Sequence, residues 1–272
     1  MLRKFIKFLA IIIGQKIPFF KGQDRLVRLL YSPNKFKNLH KGEKFVSNYF
    51  GLNYEGITSN YIDWGVYFKG GHEKGLVNFF KKHISMVDYF IDIGSNSGTV
   101  SLPFLNEKNI KIICFEPLQY NYKKLINNFK INNGLEKHSF HNIALSNKIT
   151  FVKIFYSETD ENPGFASIDN FYNLKNLKEE EVKTNSLDNM YNFRNKKIII
   201  KIDVEGYEDR VINGAINILK ENQVIMYMEA KNGKIPNILI EAGFKYKYFN
   251  FRGDKIYFLK NGKSNDIILT NY

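Results

Sequence analysis

Five acids and one base stand where apolar runs of this chain stop. Asp92 lies near the end of the run 87–93, Glu116 follows 111–115, Lys201 and Asp203 close 196–204, Glu205 comes directly after them, and Glu229 follows 224–228. Carboxylates at such places can hold hydroxyl groups, accept protons or neutralise a cation, and an ammonium among them can orient or balance them. Period-two alternation puts Lys201 and Asp203 on one side of their strand and Ile202 and Val204 on the other.

The elements that must position these groups are strands alternating with helices. Residues 87–93 read as a central parallel strand, covered on both faces. The following turn, Gly94-Ser95-Asn96-Ser97-Gly98, leaves no Cβ at its two ends and leads toward a helix expected over 99–105, the geometry of a ligand site in open α/β sheets. Twenty-four positions after Asp92, Glu116 ends the second strand, where such folds hold a ribose diol. Leu118, Tyr122, Leu125, Ile126 and Phe129 form one face of the next helix, ended by Asn133-Gly134. A third strand at 139–144, an edge or inserted strand at 150–156, the strand 196–204, a helix carrying Tyr207, Val211, Ala215 and Ile218, a fifth strand at 224–228, a helix at 236–242 and a closing hairpin around Gly253-Asp254 complete the alternation. The polar stretch 157–181, with Pro163-Gly164, reads as a substrate loop. Helix 72–83 brings His72 and Glu73 near the first strand, where they either line the pocket or simply begin the helix.

The chain has 272 residues, 44% of them hydrophobic, enough for one sizeable core with an appendage. Its net charge of +13 is uneven: residues 1–50 hold eleven Lys/Arg against two acids, so the remainder is only mildly basic and a general nucleic-acid-binding face is not required. The single cysteine, Cys114, excludes an intramolecular disulfide and fits a reducing cytoplasm. Residues 1–60 read as a basic, helical N-terminal cap or lid, with a fragment at 24–31 broken by Pro33, and residues 61–272 as the main domain; the segment SNYIDWGV at 59–66 reads as a strand or turn entering the core. The apolar run 8–13 is far shorter than the roughly 20 residues of a membrane span. With Lys4, Lys7, Lys16 and Lys21 around it, segment 1–21 is either a helix packed on the domain or a peripheral membrane contact at the inner face.

Several chemistries are excluded by missing motifs. The first turn is not G-x-G-x-x-G, no P-loop or G-x-S-x-G elbow is present, and no His/Cys group has zinc spacing. The motifs FIDIGSNSG, CFEP, NNFKINNG, ALS, VKTNSLDNM and IIIKIDVEGYEDRVINGA, spread over residues 71–229, resemble the FkbM-type methyltransferases, with Ser95 where that family commonly has alanine.

The resemblance implies a Rossmann-like class I methyltransferase fold: a mostly parallel seven-stranded sheet with an antiparallel C-terminal hairpin. It also implies S-adenosylmethionine as cofactor and O-methylation of a hydroxyl, of a sugar in a surface glycan or of a small metabolite. On this reading the backbone amides of Gly94, Ser95, Asn96 and Gly98 bind the methionine carboxylate, and Asp92 orders the turn and the tail. Glu116, with Pro117, takes the ribose; Asn142 and Ala144 meet the adenine edge. Asp203 orients or deprotonates the acceptor, with Lys201, Glu205 and Glu229 as further candidates, although Glu205 could merely cap a helix and Glu229 bind a backbone amide. A divalent cation shared by Asp203, Glu205 and Glu229 is an arrangement the spacing does not call for. The alternatives are a nucleic-acid methyltransferase, weakened because Asp203-Val204-Glu205-Gly206 replaces the Asp/Asn-Pro-Pro-aromatic loop, and a protein that binds cofactor or glycan without turnover.

Overall fold

The computed structural model describes residues 2–31, 42–157 and 177–272. Two N-terminal helices, α1 (Leu2–Ile11) and α2 (Gln23–Leu30), precede the hairpin β1 (Lys44–Tyr49) and β2 (Leu52–Ile57) and the helices α3 (Tyr61–Lys69) and α4 (Lys74–Lys81). Then come β3 (Tyr89–Ile93), β4 (Lys111–Phe115), α5 (Gln119–Lys130), β5 (Ser139–His141), β6 (Ala144–Leu145), β7 (Phe151–Ser157), β8 (Leu177–Asn185), α6 (Leu187–Met190) and β9 (Lys197–Ile202). The chain continues through α7 (Glu208–Asn213), α8 (Ile216–Glu221), β10 (Gln223–Glu229), α9 (Asn237–Glu241), β11 (Lys245–Arg252), β12 (Lys255–Phe258) and β13 (Asp266–Thr270).

The main sheet has the order β12-β11-β13-β10-β9-β3-β4-β5. From β10 to β5 its pairs are parallel, while β13 runs antiparallel to both β10 and β11. Helix-linked parallel strands with a reversed edge make the fold Rossmann-like, as expected. The strand count is eight, because residues 266–270 add a strand absent from the sequence reading and slot between the hairpin and the sheet. Strands β6, β7 and β8 form a separate three-stranded sheet, so Ala144 leaves the main sheet at the end of the third strand.

Alternation sorts the strands into two cores. Ile91, Ile93, Ile113, Ile200, Ile202 and Met226 face one side with α7, α8 and α9 residues. Phe90, Ile112, Cys114, Ile199, Ile225 and Tyr227 face the other with α4, α5 and the β1–β2 hairpin. Asp92 and Lys201 are directly paired in the β3–β9 register, on this second side.

Three local expectations fail. Residues 99–105 are not an α-helix but turns with a short 3₁₀ segment at Leu102–Phe104, because Pro103 lacks the amide that a continuing helix needs. SNYIDWGV is no strand: Asn60 caps α3 by accepting from the amides of Ile62 and Asp63, which starts the helix at Tyr61. Residues 44–57, expected within a helical cap, are a hairpin whose Tyr54 hydroxyl bonds Asp63 at 2.7 Å. Asp63 is fully buried and also accepts from Lys124 of α5 at 2.7 Å and from the amide of Ile57 at 2.9 Å, tying hairpin, α3 and α5 together. Pro33 and residues 158–176 of the expected substrate loop lie outside the described residues.

Candidate active site

The carboxyl ends of β3, β4, β9 and β10 open into a cavity of about 290 Å³, walled also by the starts of α3 and α4 and by β6 and β7. Of the residues proposed from sequence, Gly94, Ser95, Asn96, Glu116, Pro117, Ala144, Lys201, Asp203, Glu205 and Glu229 line it. Asp92, Gly98 and Asn142 do not.

The turn after β3 is built by close packing. Gly94 has φ of +77°, and a Cβ there would stand 1.9 Å from the carbonyl oxygen of Asp203. Gly98, at φ +84°, is backed by Leu125, so its missing side chain makes room for α5 and not for a ligand. The expectation that this turn offers free amides is corrected by its hydrogen bonds. Gly94 and Ser95 both donate to the carbonyl of Phe115 at 3.0 Å, Gly98 donates to Ser95 at 2.8 Å, Asn96 to the Glu116 carboxylate at 2.8 Å, and Ser97 to the side chain of Asn96 at 2.8 Å. A tight turn between two strands satisfies its own donors. The hairpin supports it from behind: the Tyr49 hydroxyl donates to the Thr99 carbonyl at 2.7 Å, and the hydroxyls of Tyr54 and Ser97 lie 2.7 Å apart.

Glu116 is fixed from three sides. Besides the Asn96 amide, it accepts from the amide of Leu118 at 3.0 Å and the side chain of Asn121 at 3.4 Å. Burial nevertheless pushes its carboxyl up to about 7, against the lowering effect of those bonds. Asn142 acts on the backbone and not at the cavity: its amide donates to the carbonyls of Glu116 and Pro117 at 2.9 and 2.8 Å. Asn121 lines the cavity with a buried Oδ1 that has no hydrogen-bond partner, and sequence reasoning missed it because it sits on the polar-looking side of an amphipathic helix.

Across the cavity, Lys201 is the hub. Its buried ammonium donates to the carbonyl of Gly94 and to Asp203 Oδ2, both at 3.1 Å, and stands 3.7 Å from Asp92. Burial opposes its charge, but Asp203, Asp92 and Glu73 prevail and hold its pKa above the ordinary value. Asp92 is fully buried, so it acts through Lys201 and does not meet a ligand itself. Burial also raises Glu229, with repulsion from Asp203, Asp266, Glu205 and Glu73 added to it, and it raises Glu73 against the pull of Lys201. His72, beside Glu73, is pushed down to about 4 by burial and by Lys69 and Lys201, so it is neutral at physiological pH. Both His72 and Glu73 line the cavity, which resolves the alternative left open for them.

Three lining residues that are not glycine, Glu73, Asn96 and Glu205, have left-handed backbones, with φ of 51°, 49° and 52°. Such strain costs about 1 kcal/mol or more per residue and gathers where a site imposes it. It is a signal that sequence alone does not carry. Among the described residues, no three His, Cys, Asp or Glu side chains converge as a metal-binding group.

The methyltransferase FkbM domain matches residues 92–259 of this chain. No curated protein matches it. Among solved structures, a putative transferase from Pyrococcus horikoshii is 11% identical with a TM-score of 0.40, covering 84% of this chain and 71% of its own. A putative rRNA methylase from Clostridium thermocellum is 7% identical with a TM-score of 0.42, over 72% of this chain and 96% of its own. The B. subtilis M1A22 tRNA methyltransferase is 10% identical with a TM-score of 0.41, over 71% and 64%. With the domain match spanning more than half of its length, the chain belongs to the FkbM methyltransferase family.

Proposed function

We propose that this methyltransferase moves the methyl group of S-adenosylmethionine to a hydroxyl oxygen, of a sugar in a surface glycan or of a small metabolite. The observation that carries the reading is the charge of the cavity: Asp203, Glu205, Glu229, Glu73 and Glu116 line it, and Lys201 is the one lining residue there with a permanent positive charge among the described residues. A ligand with a sulfonium, an ammonium and a carboxylate carries one net positive charge and complements such a basin. Glu116 would take the ribose hydroxyls, joined by the unpartnered Asn121 Oδ1, and the apolar wall of Leu118, Ile143 and Ala144 suits a flat base. With the amides of residues 94–98 engaged, Thr99 and the side-chain amide of Asn96 would meet the tail carboxylate.

When bound, S-adenosylmethionine supplies an electrophilic methyl group whose sulfur leaves as a neutral thioether. The protein must then place an acceptor oxygen in line and remove its proton. Asp203, held by Lys201, orients the acceptor by accepting a hydrogen bond from a second hydroxyl on it, which leaves the proton of the reacting hydroxyl to Glu229. Glu229 takes the proton, because its raised pKa makes it a stronger base than an ordinary carboxylate.

The test is turnover with labelled methyl groups. Glu229→Gln should lower kcat by about 10²- to 10⁴-fold while cofactor affinity, followed by titration calorimetry, changes little. The labelled product should resist mild alkali, as a methyl ether does and a methyl ester does not. Label recovered in RNA, or unchanged kcat in Glu229→Gln, would refute the reading.

A further inference from the structure

Helices α1 and α2 have two unlike sides. Their inner side is a completed interface: Ala10, Val27 and Tyr31 pack with Trp64 and Phe68 of α3. The Gln15 side chain donates to the carbonyl of Tyr67 at 2.7 Å, and the Gln23 side chain donates to Ile13 and Ile17 at 2.6 and 3.0 Å. Ile11, Ile13 and Leu30 pack against this cluster, and Phe19 rests on Gly253, but much apolar surface stays outside the interface. Phe5 is 56% exposed, Phe8 57%, Phe19 53% and Leu29 66%. Lys4, Lys16, Lys21 and Arg25 are exposed among them, and the only acid in residues 1–31 is Asp24, which pairs with Lys69 at 3.0 Å.

Exposed phenylalanines ringed by lysines suit one solvent better than water: the boundary of an anionic bilayer, where rings enter the acyl region and ammonium groups meet headgroup phosphates. A protein partner of ordinary surface would have to leave these cations unpaired. No helix among the described residues is long and apolar enough to cross a membrane, so the contact is interfacial. The patch also adjoins the cavity. Arg28 of α2 donates to the hydroxyl of Tyr61 at 2.5 Å and lies 4.9 Å above its ring, and Tyr61 lines the cavity.

We propose that the outer side of residues 4–29 is a docking surface for anionic lipid bilayers, which sets the mouth of the cavity beside the membrane. Flotation of the full chain tests it, with vesicles of phosphatidylcholine alone and with added phosphatidylglycerol. The protein should float with the anionic vesicles and far less with the neutral ones. The charge reversal Lys4→Glu/Lys16→Glu/Lys21→Glu should lower partitioning on the order of a hundredfold, and Phe5→Ser/Phe8→Ser about tenfold or more. Both sets lie on exposed positions and should keep the wild-type thermal transition. The proposal is overturned if wild type stays unbound with anionic vesicles, or if the variants bind as it does. It is equally overturned if sedimentation velocity shows a lipid-free dimer that the Phe5→Ser/Phe8→Ser change dissociates, which would assign the patch to a second copy.

Discussion

Replacing Lys201 with methionine tests the electrostatic logic of the site. Asp92 has no exposed surface, its carboxylate lies beside the Ser101 hydroxyl, and its cation is Lys201 at 3.7 Å. At that distance, with an effective dielectric of about 20, the attraction is about 4.5 kcal/mol. Asp203 loses a contact as well, but its side chain is 25% exposed and water replaces most of it. Stranding a buried charge costs about 3–5 kcal/mol, which for a chain of this length is a drop in Tm of about 6–20 °C. The deficit should depend on pH in a defined direction. Without Lys201, the folded-state pKa of Asp92 rises further above its ordinary 3.8. A raised carboxyl stabilises the fold relative to its charged form only while protonated, so the variant should lie nearest to wild type at about pH 4 and fall away toward neutrality. Asp92→Asn/Lys201→Met should recover part of the loss. Thermal denaturation of the four proteins of this cycle, at acid and neutral pH, measures each quantity. A single variant within about 1 kcal/mol of wild type, or a double variant no more stable than Lys201→Met at neutral pH, would falsify the assignment of Lys201 as counter-ion to Asp92.

Glu116→Gln should weaken S-adenosylmethionine binding by about 1.5–3 kcal/mol, roughly 10- to 150-fold in Kd by calorimetry, since charged hydrogen bonds to the ribose would be lost; unchanged affinity would remove Glu116 from the site. Affinity should also depend on pH. The Glu116 carboxyl is raised to about 7, so a cationic ligand should bind more tightly as pH rises through this value and release protons, seen as buffer-dependent binding enthalpy. By the same sign, the contribution of Glu116 to the stability of the ligand-free protein is full below its ordinary 4.5 and is lost as pH rises through about 7. Gly94→Ala, with a methyl group 1.9 Å from the Asp203 carbonyl at φ +77°, should cost about 3 kcal/mol or more, and a Tm equal to wild type would show that the turn moves freely.

Strong periods made much of the fold readable in sequence. The runs 87–93, 111–115, 196–204 and 224–228 are apolar and bounded, and each became a strand of the sheet. The line of acids at their ends followed directly, because parallel strands open toward one edge. Other features depend on contacts distant in sequence. The hairpin at 44–57 carries lysine, asparagine and glutamate on its outward positions, and its tyrosines make sense only against Ser97, Thr99 and Asp63. Residues 266–270 form a strand because both β10 and β11 offer them partners. Counting glycines could not reveal that the turn amides are already bonded. For Glu73 and His72 the sequence left pocket lining and helix start as alternatives, since their approach to Lys201 depends on how α4 crosses the sheet edge.

The position of β13 bears on the order in which the protein is assembled. Residues 266–270 follow the β11–β12 hairpin in sequence yet lie between it and β10, so the hairpin joins the main sheet only after they have been synthesised and inserted. The same insertion sets Asp266 opposite Glu229, where its charge helps to raise the Glu229 pKa. A nascent chain paused before residue 266 would carry all of its proposed catalytic side chains without the field that tunes Glu229. Sheet closure and the basicity of that group are therefore completed in one event.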